Sequence, residues 1–133
     1  KPIPGLKEGY IYNTDEVEDY IPEREDLIGV YDQICDQYKL DTDELDPYDL
    51  MFRYELVDNK KLTKHIKKIQ KFLSSKSDRK RIDKIKKSKM KLYPSFTMEN
   101  SNFIFMEGFH RLVAYYEKGL KKFPIFFVSF EGM

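Results

Sequence analysis

Glu107-Gly108-Phe109-His110-Arg111 puts a carboxylate, a glycine, an imidazole and a guanidinium within five residues. The β-rich run Phe103 to Met106 precedes them and a helical pattern follows. A helix that starts just after a glycine has backbone N–H groups without intrahelical partners, and they lie at the positive end of its dipole. Such a turn is a ready anion site, and a glycine lets a phosphate approach the backbone closely. Gly108 and Phe109 would offer backbone. Arg111, on the first helical turn, would offer a planar fork for phosphate oxygens. His110 could donate a hydrogen bond or titrate near neutrality. Glu107 at the strand end could act as a general base or a Mg²⁺ ligand. Glu107 and His110 are therefore the catalytic candidates, and Gly108, Phe109, His110 and Arg111 the phosphate-binding ones.

The elements around this turn follow from patterning. Leu92 to Met98 and Phe103 to Met106 are β-rich runs separated by turn formers, and should pair as a hairpin. A helix over 110–118 follows and Gly119 stops it. Phe123 to Phe130 is a strand apolar enough for burial on both faces. Upstream, Thr14 is placed to cap a short helix that Pro22 interrupts, and Pro22 suits the first position of a second helix. Leu27, Val30, Tyr31, Ile34 and Tyr38 give that helix one apolar face, with Cys35 beside it as a buried small hydrophobe. Asp41 to Pro47 is turn-rich, and Tyr48 to Tyr54 suits a short strand. Asp58 or Asn59 can cap a helix with Leu62, Ile66, Ile69 and Leu73 on one side and lysines on the other. Asp78 is placed to cap a second basic helix, whose Ile82 and Ile85 predict weak, mobile attachment at the surface. These elements predict one α+β domain over 1–133. Its small mixed sheet of three to four strands is flanked by helices, with an acidic helical extension (1–44) and a basic helical insert (74–91).

Charge is strongly segregated. Residues 1–59 hold 17 acidic and 5 basic side chains, and residues 60–91 hold 15 basic and 2 acidic. Such asymmetry points to anionic partners, or to two helical surfaces that neutralise one another. Lys64, Lys67, Lys68, Lys71, Arg79, Lys80, Arg81 and Lys84 are the candidates for a nucleic-acid backbone. One cysteine and two distant histidines provide no zinc spacing, so no metal site is expected from them. No apolar run is long enough for a membrane span and no leader pattern is present, which predicts an intracellular protein without a membrane partner.

The run Phe103 to Ile125 resembles the central motif of the ParB/sulfiredoxin superfamily. There a strand enters G-x-x-R, a helix with a small residue follows, and then come a glycine and a strand opened by proline. Lys61 to Ile69 is similar to the sulfiredoxin-type helix that begins with a phosphate-contacting lysine, and Arg53 falls near the arginine of the family's first box. The resemblance spans about residues 45–73 and 92–130. It implies a nucleoside triphosphate, ATP or CTP with Mg²⁺, held at the G-x-x-R turn by Gly108 and Arg111, with Lys61 and Arg53 converging on it. His110 matches the histidine of the sulfiredoxin motif. Phe109 stands where sulfiredoxins carry their catalytic cysteine, which excludes sulfinic acid reduction. Small members of the superfamily occur on phages and mobile elements.

Three functional readings follow. The first is a nucleotide-binding phosphotransferase or NTPase. The second is a DNA- or RNA-binding protein or nuclease that uses residues 60–91. The third is a catalytically silent module whose acidic residues 1–59 dock a basic protein.

Overall fold

A computed structural model describes residues 5–20, 24–41, 46, 49–88, 92–99 and 102–130. The expectations for Pro22, for most of the 41–47 turn and for Asn100-Ser101 lie outside the described residues. In chain order the elements are β1 (Ile11–Asn13), α1 (Thr14–Val17), a 3-10 turn (Glu18–Tyr20), α2 (Arg24–Gln37) and β2 (Leu50–Asp58). Then come α3 (Asn59–Phe72), α4 (Lys76–Lys87), β3 (Ser95–Met98), β4 (Phe105–Glu107), α5 (Phe109–Glu117) and β5 (Lys122–Phe130).

The fold is α+β, with five strands among the described residues rather than three to four. Their order is β1-β2-β5-β3-β4, and the β3–β5 pair is parallel while the others are antiparallel. β2 is longer than its apolar run suggests because all nine of its residues pair with β5, from Leu50 opposite Phe130 to Asp58 opposite Lys122. β5 is central, and its two faces alternate between two cores, as its near-continuous apolar run implies.

Alternation along the strands divides the molecule into layers. On one face, Leu50, Phe52, Tyr54, Phe126, Val128, Phe96 and Met106 pack with Val30, Tyr31, Ile34 and Cys35 of α2. On the other face, Val57, Phe123, Ile125 and Phe105 pack with Leu62 and Ile66 of α3, Ile82 of α4, and Leu112, Val113 and Tyr115 of α5. The sheet therefore stands between the acidic helix α2 and the basic helices α3 and α4.

Local chemistry corrects two caps. Asn13, not Thr14, caps α1. Its side chain accepts from the Glu16 N–H at 2.9 Å while Glu16 accepts from the Asn13 N–H, and this reciprocal box leaves Thr14 buried inside the helix. Ser75, not Asp78, caps α4. Ser75 Oγ accepts from the Asp78 N–H at 3.0 Å and donates to Asp78 Oδ2 at 2.8 Å. Asp58 does cap α3, though without a side-chain hydrogen bond. Gly119 ends α5 at φ +80°, the left-handed geometry expected of a helix stop.

The attachment of α4 is stronger than its two isoleucines suggest. Ile82 is fully buried. Glu117 on α5 accepts from Arg79 at 2.8 and 2.9 Å, from Lys86 at 3.1 Å and from Gln70 of α3 at 2.9 Å. One largely buried carboxylate thus ties three helices together. Arg79 in particular holds its carboxyl down at about 2.

Candidate functional site

Gly108 is the N-cap of α5, with φ +85° and ψ +25°. A Cβ there would stand 2.8 Å from Ser95 Cβ and 2.9 Å from Ser95 Cα, so both backbone geometry and space require glycine. Ser95 Oγ donates to the Gly108 carbonyl at 2.9 Å, which locks the turn onto β3. The same carbonyl accepts the first helical bond, from Leu112 N–H at 3.0 Å.

Around this turn lies a pocket of about 180 Å³ lined by Glu107, Gly108, Phe109, His110 and Arg111, and by Arg81 and Ile85 of α4. The five residues that the sequence singles out are therefore brought together. The insert helix supplies a fourth polar side chain, Arg81, which the sequence places on a nucleic-acid-binding surface instead. Arg81 makes no ion pair or hydrogen bond among the described residues. A lining guanidinium without a carboxylate partner is suited to an anion brought from outside.

The other lining groups are held by the fold. Arg111 donates to the Pro94 carbonyl at 2.6 Å, which anchors its guanidinium against the segment leading into β3. His110 Nε2 meets Asp78 Oδ1 at 2.9 Å, and the hydrogen bond from His110 keeps the Asp78 carboxyl below its ordinary value. When Asp78 accepts from Nε2–H, Nδ1 is left as the acceptor of the neutral ring. The first turn of α4 thereby orients a side chain on the first turn of α5. Glu107 leaves the end of β4 towards α2. A Cβ at Gly29 would fall 2.6 Å from Glu107 Oε1, so glycine at this point of α2 makes room for the carboxylate. Gln33 of α2 holds the neighbouring strand by donating to the Met106 carbonyl at 2.7 Å.

Two expected phosphate ligands stand elsewhere. Arg53 is on β2, opposite Phe127, which is opposite Thr97 and then Phe105. Three strand spacings, about 14 Å, separate it from β4. Its guanidinium makes bonds of 3.0 and 2.9 Å to Glu99, pairs with Glu55, and lies 4.3 Å from the centre of the Phe127 ring. Lys61 follows Asn59, which bonds the Leu120 and Lys121 carbonyls at the far end of α5. Nine helical residues, about 13 Å, lie between that end and Gly108. Lys64, Lys67, Lys68 and Lys71 are exposed on α3, and Lys80 and Lys84 on α4. Arg79 turns inward to Glu117, and Arg81 joins the pocket.

Gly29, Asp78, Arg81 and Ser95 were not singled out for the site. Asp78 was legible as a helix-start residue, and Arg81 as one charge among many. No local spacing joins either of them to a turn about 30 residues away. Among the described residues, no group of three or more His, Cys, Asp or Glu side chains is placed to hold a metal ion, and no helix is long and apolar enough to cross a membrane. Comparisons of the chain with protein-family models, with curated proteins and with solved structures find no match.

Proposed function

We propose that this protein binds a nucleotide by its phosphates, with one phosphoryl group seated between the first turn of α5 and Arg81 of α4. The observation that carries this reading is the pocket at Gly108, which the first turn of α5 lines together with a guanidinium that has no ion pair among the described residues. Arg111 and His110 add two polar side chains already fixed by Pro94 and Asp78. A volume of about 180 Å³ is well below the roughly 300–1,000 Å³ of pockets that enclose a whole small ligand. Sugar and base therefore lie outside it, which suits a contact made to the end of a phosphate chain.

Glu107 also lines the pocket, with its carboxylate turned towards Gly29 of α2, so a Mg²⁺ brought in with the nucleotide would be held chiefly by the phosphates and water. His110, oriented by Asp78, is the group placed to move a proton, so phosphotransfer or hydrolysis would run through it. The resemblance to the ParB/sulfiredoxin superfamily supports the same ligand class, ATP or CTP. It rests on Gly108 and Arg111, since Lys61 and Arg53 lie away from the turn.

A thermal-shift panel of ATP, CTP, GTP and ADP, with and without Mg²⁺, tests this reading. A ligand at 100 times its Kd stabilises by about 2.7 kcal/mol. Arg81→Ala is the cleaner variant, because Arg111 also anchors the backbone at Pro94. Loss of one charge-assisted contact should weaken binding about 10- to 100-fold. If no nucleotide or inorganic phosphate stabilises the wild type, the reading fails.

A further inference from the structure

Lys76, Lys80, Lys84 and Lys87 recur on α4 at steps of four, four and three residues and are all exposed. The steps advance about 6, 6 and 4.5 Å, so the stripe runs about 16 Å along the helix. The four lysines line one open groove of about 870 Å³ together with Ser74 and Asp83. None of them makes an ion pair or a side-chain hydrogen bond among the described residues. The remaining charges of α4 are spoken for, since Arg79 and Lys86 bond Glu117, Asp78 bonds His110, and Arg81 turns to the pocket. Like charges four residues apart repel and destabilise a helix, so this face gains from a polyanion laid along it.

Phe72 sits just before the groove, at the end of α3 and two residues ahead of Ser74. It is 85% exposed, the largest exposure among the big apolar side chains described. Burial is the default for a phenylalanine, so an aromatic face left in solvent four residues ahead of the first lysine of the stripe is a feature to be accounted for. Basic grooves flanked by aromatic side chains are the general chemistry of single-strand binding, in which lysines track phosphates and rings stack on bases. A duplex would present its phosphates but no open base face.

We propose that the outer face of α4, with Phe72 at its head, binds a single-stranded polynucleotide through its phosphodiester backbone and one stacked base. The interaction is independent of base identity, because lysines without paired donors and acceptors contact phosphate rather than base edges. It is also independent of the Gly108 pocket.

Fluorescence anisotropy with labelled 12-mers of dT and of U, against a duplex of equal length and phosphatidylserine vesicles, tests this on the full chain. Four phosphate contacts give a log–log salt slope of about −2.8 for a single strand, or about 50-fold weaker binding from 50 to 200 mM salt. Lys80→Ala with Lys84→Ala should halve that slope, and Phe72→Ala should cost about tenfold at fixed salt. Lys121→Ala with Lys122→Ala removes the same charge from an exposed site at the start of β5 and should leave binding within twofold. The dT and U arms decide whether the sugar matters. Equal losses in the two double variants would overturn the proposal, because binding would then follow net charge alone. Duplex binding as tight as single-strand binding, with Phe72→Ala silent, or binding to vesicles and not to oligonucleotides, would also overturn it. All the substituted side chains are exposed, and a matching thermal midpoint shows that each variant is folded.

Discussion

The two sides of the sheet carry opposite charge and handle it differently. On the α2 side, Glu25, Asp32 and Asp36 are exposed and make no ion pair among the described residues, and the interior is held by apolar packing of α2 on β2, β5 and β3. On the other side, charge is part of the packing. Glu117 gathers Arg79, Lys86 and Gln70, and Asp78 holds His110. No described basic residue of 60–88 pairs with an acid of 1–59. Among the described residues the acidic and basic segments therefore make no ion pair with one another, and the sheet stands between α2 and the basic helices α3 and α4.

Breaking the polar clip on the basic side should have the largest effect. Glu117→Ala leaves Arg79, Lys86 and Gln70 without their common acceptor and should cost about 2–3 kcal/mol in chemical denaturation, since Glu117 is largely buried while Arg79 and Lys86 keep about a third or more of their side chains in solvent. A loss below about 1 kcal/mol would mean that Ile82 alone holds α4. Gly108→Ala comes next, at about 2 kcal/mol or more, from a left-handed backbone and the approach to Ser95. An alanine variant of wild-type stability would contradict the geometry of the turn.

Acid should sharpen the contrast. Glu117 is held at about 2 against 4.5 unperturbed, and Asp78 is lowered as well, with the His110 bond as the leading cause. Between those values the unfolded chain binds more protons than the folded one, so stability rises with pH. The contribution is complete above about pH 4.5 and is lost as pH falls towards 2. Hydrogen exchange across that window should release α4 amides before those of α2. Equal release from both helices would remove the distinction. The smallest effect belongs to the apolar side. The Tyr54 hydroxyl is buried with no hydrogen-bond partner among the described residues and burial pushes it up to about 12, so Tyr54→Phe should change stability by less than about 0.5 kcal/mol or raise it. A loss above about 1 kcal/mol would point to a partner for the hydroxyl.

Much of the local structure was legible in the sequence. Gly108 and Gly119 bracket α5 as their types require, the apolar run of 123–130 is the central strand, and the face of α2 follows its helical spacing. What escaped was set by contacts distant in sequence. β1 is three residues long and exists because Ile11, Tyr12 and Asn13 pair with Arg53, Phe52 and Met51. The hold on α4 depends on Glu117, a residue of another helix that no local spacing links to α4. At the candidate site, the turn itself could be read from five adjacent residues. Arg81 and Asp78 could not, because only packing of α4 on α5 brings them there. Arg53 and Lys61 had been placed at the turn by family resemblance, and the sheet order and the length of α5 put them elsewhere.

The most direct test is an amide chemical-shift titration of the protein with ATP and Mg²⁺, repeated on Arg81→Ala. Saturable shifts at Phe109, His110 and Arg111 in the wild type, weakened at least tenfold by Arg81→Ala, are the predicted result. No shift at these three amides, or an unchanged affinity without Arg81, would contradict a phosphate seat between α4 and α5.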